Sequence, residues 1–499
     1  MRAARRRAWP IAGVLAGGAG LATSWFAAHA LAAKDDPVSA VAEQVIVRLP
    51  GGTAEQGISW FGHHDKQVLV ATVVVVVAAA CLLIGRLATR WRMAGVTGFA
   101  MLAVVGGLAV AAQPGTGARD EVPVVVGFLT WVGLFSVLAD PTREPTADGE
   151  GRRFWLRAGA VAAGAIVVAA VSPAVGRARR QVEAARSALR IPGLRRPTAP
   201  AGADLGLAQP WATPTRDFYR IDTAITPPYV DPAHWRLRIH GLVDTPLELS
   251  FDDLLARRRT DAWITLNCVS NPVGGDLIGN AYWSGVRLRD LLAEAGVQAG
   301  ADAVLQTSDD GWTCGTPLAA LTEGRPAILA VAMNGAALPV EHGFPVRTLV
   351  PGLYGYVSAC KWVVDLEVTT MAKAVGYWIL RGWAVDGPVK LASRIDRPRS
   401  GATVSAGRYT VAGVAWEQET GISAVEVALD GGPWQRARLG RVPSVDTWVQ
   451  WSVALDLDPG SHQVVVRAID RDGTVQTSVR RDVVPDGATG WHQVSFEAS

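Results

Sequence analysis

Four cysteines are the residues of this 499-residue chain that are best suited to metal or redox chemistry: Cys81, Cys268, Cys314 and Cys360. Cys81 lies inside an apolar stretch, and the other three can form one disulfide at most, which leaves at least one free thiol. The sequence contains no CxxC pair, no zinc-ligand spacing and no CxxCH haem-attachment site. Because a thiolate is a nucleophile and a soft metal ligand, an unpaired cysteine is a candidate for a catalytic or metal site.

The composition limits the classes of partner that the chain can bind. Its net charge is +3 and 19% of its residues are charged, without a polybasic tail. That balance is not typical of a nucleic-acid-binding protein. A chain of this length divides into three or four domains at about 150 residues each.

Five apolar stretches in the first 176 residues are long enough to cross a bilayer, which takes about 20 residues per helix. A cleaved signal peptide is the alternative for the first stretch, but no convincing cleavage site follows it. We therefore predict a membrane anchor. The five predicted spans are Pro10–Ala32, Val68–Gly85, Met93–Ala112, Val122–Leu138 and Ala158–Val175.

The basic residues in the short loops predict the orientation of these spans, because cytoplasmic loops carry an excess of Lys and Arg. With the N-terminus inside, five crossings place everything after Gly176 outside the cytoplasm. This predicts a multi-pass protein of the cell membrane with an extracytoplasmic catalytic region. The residues on the predicted inner side are Arg2, Arg5, Arg6, Arg7, Arg86, Arg90, Arg92, Arg143, Arg152 and Arg153.

A paired arginine stands directly before the last span, in the segment Gly151–Arg157. It resembles the twin-arginine signal, which exports proteins already folded around their cofactor. The alternative is an ordinary basic anchor at the cytoplasmic end of a helix. The sequence leaves both interpretations open.

The spans carry little that suggests chemistry of their own. A transmembrane b-type haem usually needs two facing histidines, and only His29 lies in a predicted span. Intramembrane charges, the usual mark of an ion pathway, are absent from these stretches. We therefore predict an anchor or a docking surface, not a haem protein, sensor or transporter.

The rest of the chain has three parts. Residues 177–210 are rich in Arg, Ala and Pro, which predicts a linker that serves as a tether. Residues 211–388 mix strand and helix patterns, which predicts an α+β domain. Residues 389–499 contain alternating strand candidates bounded by Gly, Pro or Asp, which predicts an immunoglobulin-like β-sandwich.

Six motifs occur in order in the second and third parts: "DFYRIDTA", "WRLRIHGLVDTPLELSFDDLL", "LNCVSNPVGGDLIGNAYWSGVRLRDLL", "DDGWTCGTPL", "HGFPVRTLVPGLYGYVSACKWV" and "GWAVDGPVKLASRIDRPRSG". Together they resemble the molybdopterin-binding domain of the sulfite-oxidase family, in particular its membrane-anchored bacterial members. The last part resembles that family's dimerisation domain. The fold class implied is multi-domain: a five-helix transmembrane region, an α+β molybdopterin domain and an immunoglobulin-like sandwich.

The resemblance implies a cofactor, molybdenum bound to molybdopterin, whose metal takes a single cysteine from the protein. Cys268, in "LNCVSN", matches that cysteine, and a soft thiolate suits a sulfur-rich metal site. The pterin ends in a phosphate or a nucleotide, which requires donors and positive charge. The resemblance implies that the cofactor-binding residues are Tyr219, Arg220, Cys268, Thr307, His342, Arg347, Ser358 and Lys361.

Two positions depart from sulfite-oxidising members of the family. Val273 stands where they carry an arginine five residues after the metal cysteine, and Trp312 stands where they carry a tyrosine. A sulfite dianion would lose a donor at each position. Cys314 and Cys360 fall in segments that resemble cofactor-lining ones, and both a disulfide and simple packing remain open for them.

The resulting expectation is an oxidoreductase that performs two-electron oxygen-atom transfer on a small sulfur-containing substrate, with sulfite oxidation and sulfoxide reduction both open. Because the chain has no haem or iron–sulfur motif, a separate electron carrier, a cytochrome or a quinone-linked partner, is implied. The resemblance also suggests a homodimer through the sandwich. The alternative from another class is a cofactor-free envelope binding or scaffold protein.

Overall fold

The computed structural model of the protein describes residues 2–49, 64–91, 93–138, 150–207 and 209–499. Arg92 and Arg143, two of the residues used to predict the membrane orientation, lie outside these ranges, and the side chains of Arg152 and Arg153 are not described either. The chain divides into two compact units. The first is Met1–Ala185 with the short segments Thr223–Tyr229 and Asp309–Gly311, and the second comprises Arg186–Asp222, Val230–Ser308 and Trp312–Ser499.

The first unit is helical, and an apolar helix lies at each predicted span. Four of these helices are long and apolar enough to cross a membrane, and the fifth, Val122–Leu138, is shorter, with 17 residues. Helix α1 packs against α3, α5 and α6. The helices of this unit are α1 (Arg2–Leu31), α2 (Pro37–Arg48), α3 (Asp65–Ala88), α4 (Met93–Ala111), α5 (Val122–Leu138), α6 (Glu150–Val175) and α7 (Arg177–Ala188).

Helix α2 was not predicted, although its start has a clear local signal. The side chain of Asp36 accepts hydrogen bonds from the backbone N–H of Val38 (2.9 Å) and Ser39 (3.2 Å), and Pro37 occupies the first helical position. An N-cap aspartate and a proline at the first position are both favourable for a helix start. The helix has 12 residues, too few to span a bilayer.

Two half-buried carboxyl groups, those of Asp35 and Glu43, share one amide beside α2. Gln113 Nε2 donates to Asp35 Oδ2 (3.1 Å) and to Glu43 Oε2 (2.7 Å). Glu43 also accepts the backbone N–H of Ile225 (3.2 Å). Burial is the main cause that raises the pKa of Asp35 well above its usual value, and burial also raises the pKa of Glu43. The folded protein therefore favours the protonated form of this pair.

Replacing Asp35 by asparagine is expected to stabilise the protein near neutral pH. A carboxyl whose pKa is raised on folding stabilises the native state below its unfolded pKa, and this contribution is lost as pH rises through the folded-state value. Asparagine keeps an acceptor for Gln113 without a charge. We expect Asp35→Asn to raise the melting temperature at pH 8 by roughly 2 °C or more, with a smaller effect at pH 4, measured by tryptophan fluorescence in detergent. A lower melting temperature at pH 8 would contradict this prediction.

The segment predicted as a tether is partly ordered on the second unit. Residues 177–188 form α7, and the stretch that follows packs against later parts of the chain. Arg259 donates to the carbonyl oxygens of Pro192 (2.5 Å) and Gly193 (2.7 Å), and the backbone N–H of Leu205 donates to Gln450 Oε1 (2.7 Å). The Pro-rich segment is thus tied to the second unit by hydrogen bonds from Arg259 and to Gln450.

Two sheets and short helices form the first part of the second unit, in agreement with the predicted α+β class. One sheet has the strand order β2-β1-β10-β5-β6, and the other has β3-β4-β7-β8 with β9 paired to β7. The elements are β1 (Arg236–Gly241), β2 (Leu247–Ser250), α8 (Phe251–Ala256), β3 (Thr260–Asn267), β4 (Ile278–Arg287), α9 (Leu288–Ala295), β5 (Ala303–Ser308), β6 (Thr313–Pro317), α10 (Leu318–Thr322), β7 (Ile328–Met333), β8 (Ala336–Ala337), β9 (Arg347–Leu349), α11 (Gly355–Ser358) and β10 (Val363–Thr369).

The last part of the chain forms two facing sheets, in the orders β11-β13-β17-β16 and β12-β19-β18-β14-β15. Their inward residues, among them Val411, Val425, Trp451 and Val464, form one buried core. The alternation of apolar and polar residues therefore predicted a sandwich correctly. The strands are β11 (Ala392–Arg397), β12 (Thr403–Val404), β13 (Gly407–Trp416), β14 (Ile422–Leu429), β15 (Gln435–Arg436), β16 (Arg438–Leu439), β17 (Val449–Leu457), β18 (Gly460–Asp470) and β19 (His492–Ala498).

Candidate active site

Cys268 follows the last residue of β3 and opens the loop that leads to β4. Its backbone N–H donates to the carbonyl of Leu277 (2.9 Å), and its own carbonyl accepts the N–H of Asn271 (3.1 Å). The side chain of Asn271 in turn accepts the N–H of Leu277 (3.0 Å). These bonds hold Cys268 at the base of a closed loop, which we call the cysteine loop (residues 268–277).

The thiol of Cys268 is half-buried. Burial is the main cause that raises the pKa of Cys268, while hydrogen bonds from Ser270 and the positive charge of Lys361 lower it. A thiolate at this position therefore needs an additional positive charge close by, which a metal ion supplies.

Arg347, the first residue of β9, is buried with 4% of its surface exposed. Its Nη1 donates to the carbonyl of His342 (3.1 Å), and its guanidinium lies over the ring of Trp283, 5.4 Å from the centroid. Among the described residues its Nε has no hydrogen-bond partner. Burial lowers the pKa of Arg347 to about 10. A buried guanidinium with an unused donor indicates a site for an anion.

Lys361 supplies a second buried positive charge. Its Nζ donates to Asp222 Oδ2 (2.9 Å) and to the carbonyl of Glu341 (2.9 Å). Arg220 Nε also lies 2.9 Å from Asp222 Oδ2. Burial lowers the pKa of Lys361 to about 8, and the charge of Asp222 opposes this shift.

His342 and Tyr219 lie beside these two cations. Burial, followed by the charges of Lys361 and Arg347, lowers the pKa of His342 to about 3, so its imidazole is neutral at physiological pH. Burial raises the pKa of the Tyr219 hydroxyl, and the charges of Cys268 and Arg347 also act on it. The ring of Phe218 lies 5.2 Å from that of Tyr219 and 5.7 Å from that of His342. These side chains surround one positively charged cluster next to Cys268.

Two further predicted residues, Ser358 and Thr307, lie in segments that adjoin this cluster. The hydroxyl of Ser358 donates to the carbonyl of Tyr354 (2.9 Å) within the first turn of α11. Thr307 lies on β5, where the neighbouring Gln306 is fully buried and accepts a hydrogen bond from the hydroxyl of Thr348 (2.5 Å). Side chains alternate along a strand. The side chain of Gln306, and not that of Thr307, is therefore directed towards Thr348, the residue that follows Arg347.

Sequence reasoning missed Asp222 and Tyr354. Asp222 stands inside the "DFYRIDTA" motif and pairs with Lys361, but only the fold brings the two together across 139 positions. Tyr354 stands in "PGLYGY" and is 4% exposed, and the charge of Cys268 acts on its hydroxyl pKa, which burial raises to about 12. Their positions within the quoted motifs were the available signal.

The two departures from the sulfite-oxidising pattern lie on half-buried positions of the second unit. Val273 is on the cysteine loop, and Trp312 lies between β5 and β6, where its carbonyl accepts the N–H of Ser308 (2.9 Å). Cys314 and Cys360 are both buried free thiols, so of the two alternatives for them packing is the one observed.

The cluster fits an anionic cofactor that brings its own metal. Arg347 Nε is a buried donor that lacks a partner among the described residues, and Lys361 and Arg220 both pair with the carboxylate of Asp222. In the part of the chain that the structure describes, no group of three His, Cys, Asp or Glu side chains could hold a bare ion. A single thiolate is therefore suited to a metal whose remaining ligands come from a cofactor.

Comparison with protein families agrees with this arrangement. Residues 224–378 match the family described as the oxidoreductase molybdopterin binding domain, and residues 381–498 match the Mo-co oxidoreductase dimerisation domain. The chain is 35% identical over 182 residues to the uncharacterized oxidoreductase YuiH of Bacillus subtilis, covering 36% of this chain and 88% of that protein.

Named sulfite oxidases are also similar. Gallus gallus sulfite oxidase is 30% identical over 319 residues, which cover 54% of this chain and 69% of that protein. Homo sapiens mitochondrial sulfite oxidase is 30% identical over 59% of this chain, which spans 63% of the human protein. Among solved structures, the sulfane dehydrogenase SoxCD of Paracoccus pantotrophus matches 53% of this chain and 76% of its own, with 26% identity and a TM-score of 0.46.

The two domain matches follow one another along the chain and cover the cysteine loop, His342, Arg347, Lys361 and nearly all of the sandwich. The chain therefore belongs to the sulfite-oxidase family, and it is an oxidoreductase whose cofactor is molybdenum bound to molybdopterin.

Proposed function

We propose that this enzyme is anchored in the cell membrane, faces the extracytoplasmic side, and transfers an oxygen atom to or from a small sulfur-containing substrate. The observation that carries the chemical part of this proposal is the half-buried thiol of Cys268 beside the buried cations Arg347 and Lys361. One thiolate and two buried cations are what a phosphate-bearing metal cofactor requires from its protein.

Each residue has a distinct part in the proposed site. Cys268 binds the metal through its thiolate. Arg347 and Lys361 bind the anionic end of the cofactor, with Arg220 and Asp222 adjusting the charge around Lys361. Neutral His342 and the Tyr219 hydroxyl provide hydrogen bonds without adding charge. When bound, the cofactor supplies the two-electron redox change, and the residues named here hold it in place and keep water from the pocket.

A separate electron carrier completes the proposed reaction. Oxygen-atom transfer moves two electrons, and the sequence carries no haem-attachment motif or iron–sulfur cysteine set through which they would pass. A cytochrome or a quinone-linked protein of the same membrane is the partner class we propose. The match to a dimerisation domain supports a homodimer formed through the sandwich.

The exposed side chains of the first unit support the membrane part of the proposal. Val75, Met101, Leu108, Leu129 and Ile166 are each between 60% and 70% exposed. Large apolar side chains on the outside of long helices are typical of surfaces that face lipid.

The proposed orientation is testable with a reporter. Alkaline phosphatase, which is active only outside the cytoplasm, is expected to be active when fused after Ser499, whereas a fusion after Ala88 is expected to be inactive. An active fusion after Ala88 together with an inactive one after Ser499 would reverse the proposed orientation.

For the substrate, we propose an uncharged sulfoxide, and not sulfite. Val273 is an apolar side chain on the cysteine loop, at the position where sulfite-oxidising relatives carry an arginine. Without a positive charge there, a sulfite dianion loses a charge-assisted hydrogen bond, while a neutral sulfoxide does not depend on it.

The substitution Val273→Arg tests this substrate assignment. We expect the wild-type enzyme to reduce methionine sulfoxide and to oxidise sulfite poorly. Val273→Arg should raise kcat/KM for sulfite by roughly ten- to hundredfold, the effect of one hydrogen bond between charged groups. The measurement is steady-state kinetics with a dye as electron donor or acceptor. The size control is Val273→Met, which adds bulk without charge, and efficient sulfite oxidation by the wild type would overturn the assignment.

A further inference from the structure

The β-sandwich contacts the protein segment that carries Cys268 on both sides of this residue. We infer that the sandwich positions the Cys268 thiolate, in addition to any role in dimerisation. This inference rests on the proposed role of Cys268 as metal ligand. It assigns positioning roles to Gln418 and His492, two residues of the C-terminal part of the chain.

The first contact lies on β3, three residues before Cys268. The carbonyl of Thr265 accepts a hydrogen bond from Gln418 Nε2 (2.7 Å), and its N–H donates to the carbonyl of Asp446 (2.9 Å). The hydroxyl oxygen of Thr265 accepts the N–H of Trp448 (2.8 Å) and donates to Asn280 Oδ1 (3.1 Å). Three of these four hydrogen bonds thus join Thr265 to Gln418, Asp446 and Trp448, which flank strands of the sandwich.

Gln418 is well placed to hold this strand. It lies just after β13, is 4% exposed, and also donates to the carbonyl of Asp446 (2.9 Å). One side-chain amide therefore joins the carbonyl of β3 to the segment before β17. Because buried hydrogen-bonding groups are costly to leave unpaired, movement of β3 away from the sandwich is opposed.

The second contact lies on the cysteine loop, six and seven residues after Cys268. Gly274 has a φ of +82°, and a Cβ there would come 2.3 Å from Nε2 of His492. Arg394 Nη1 donates to the carbonyl of Gly275 (2.8 Å), and its Nε pairs with Asp396 (2.6 Å). The loop therefore lies directly against the sandwich, and only glycine allows this close approach.

The imidazole of His492 has a defined orientation. Its Nδ1 accepts the N–H of Ile395 (2.9 Å), which leaves the proton on Nε2, the atom nearest Gly274. Burial and the charges of Arg394 and Arg480 lower the pKa of His492 to about 4, so the ring is neutral at physiological pH. The ring, held in this orientation, packs against Gly274 of the cysteine loop.

The two contacts together restrict Cys268 from both sides. Residue 265 before it and residues 274–275 after it are bonded to or packed against the sandwich, and the loop is closed by its own hydrogen bonds. Partners that orient a metal ligand typically change metal affinity or activity by about 10- to 100-fold when they are removed. We therefore expect the sandwich residues to control the orientation of the thiolate, which the optical and magnetic spectra of a bound metal report.

The experiment compares Gln418→Ala and Gly274→Ala with a matched control, Val464→Ala, in full-length protein from a host that makes the cofactor. Val464 is fully buried in the sandwich core. Its truncation should lower the melting temperature without moving the cysteine loop. We expect Gln418→Ala and Gly274→Ala to shift the thiolate-to-metal absorption band and the g-values of the one-electron-reduced metal, and to reduce metal content about tenfold. Val464→Ala should leave the spectra unchanged.

A double variant tests the Gly274 contact directly. Truncating the ring in His492→Ala makes room for the added methyl group, so Gly274→Ala combined with His492→Ala should recover part of the spectral shift. If Gln418→Ala and Gly274→Ala lower the melting temperature as Val464→Ala does but leave the spectra and the metal content at wild-type values, the inference is wrong.

A cofactor-free measurement makes the test independent of metal loading. Cys268 is half-buried, whereas the other three cysteines are buried, so a thiol reagent at short times labels Cys268 first. We expect labelling to be at least tenfold faster in the Gln418 and Gly274 variants than in Val464→Ala, because the loop opens more often. Equal rates in all three would overturn the inference. Wild-type spectra that persist in Cys268→Ser would instead refute the proposed metal ligand, which separates the two failures.

Discussion

Cys268→Ser is expected to lose the catalytic activity and at least most of the molybdenum. Serine is a poor ligand for a metal that prefers sulfur, and at neutral pH its hydroxyl does not ionise as a thiol does. Wild-type protein from a host that synthesises the cofactor should contain about one molybdenum per chain. Mass spectrometry of the metal, with the optical spectrum, measures the loss.

Cys314→Ser is the matched control. Cys314 is a buried free thiol of the same domain, and the side chain of Thr316 is its hydrogen-bond partner. A serine hydroxyl keeps that partner, so metal content and spectrum should stay at wild-type values. Metal-free wild-type protein would contradict the proposed site, and equal losses in both variants would show a general effect on folding.

Arg347→Met is expected to separate cofactor binding from stability. In the cofactor-free protein the guanidinium is buried, its pKa is lowered, and its Nε has no hydrogen-bond partner in the part of the chain that the structure describes, so its charge costs free energy. Methionine removes that cost and fills a similar volume. We expect cofactor affinity to fall by at least about a hundredfold, since removing one partner of a buried charge pair costs roughly 3–5 kcal/mol. The melting temperature of the cofactor-free protein should stay the same or rise.

Cofactor binding is measured as the pterin content, by fluorescence after oxidative release. Stability is measured as the melting temperature of the cofactor-free protein. Arg238→Met serves as control, because Arg238 pairs with Asp365 on an exposed face and its side chain is 62% exposed. Arg238→Met should change neither the pterin content nor the melting temperature. If Arg347→Met lowers the melting temperature and keeps the pterin, Arg347 is a structural residue and the proposed anion site is wrong.

The sequence predicted the elements whose patterns are local. The apolar stretches predicted the helices of the first unit, because length and composition alone decide whether a helix can be covered by lipid. Alternating strand patterns predicted the sandwich. The start of the short helix α8 is also a local feature, because it has a capping box between Ser250 and Asp253. Helix α2 was missed although its cap was visible, because its pattern is short and its composition mixed.

The order of six motifs identified the family and gave Cys268, His342, Arg347 and Lys361 as candidate site residues, which the fold brings into one cluster. Their role in binding the cofactor stays a prediction. For Thr307 and Ser358 the resemblance gave the segment only, and strand alternation and the first turn of α11 decide where their side chains point.

The tertiary structure alone decided which distant residues share a contact. Asp222 reaches Lys361 across 139 positions, and Gln418 reaches Thr265 across 153. Neither pair has a periodicity or a spacing that local rules can detect, because each depends on how whole sheets pack. By itself, the sequence determined the family, the cofactor class and the apolar helices, because motifs in a fixed order and long apolar stretches can be recognised along the chain. The pairing of Lys361 with Asp222 arises only when the first part of the second unit folds, and the contacts of Thr265 and Gly275 with the sandwich arise only when its two parts pack together.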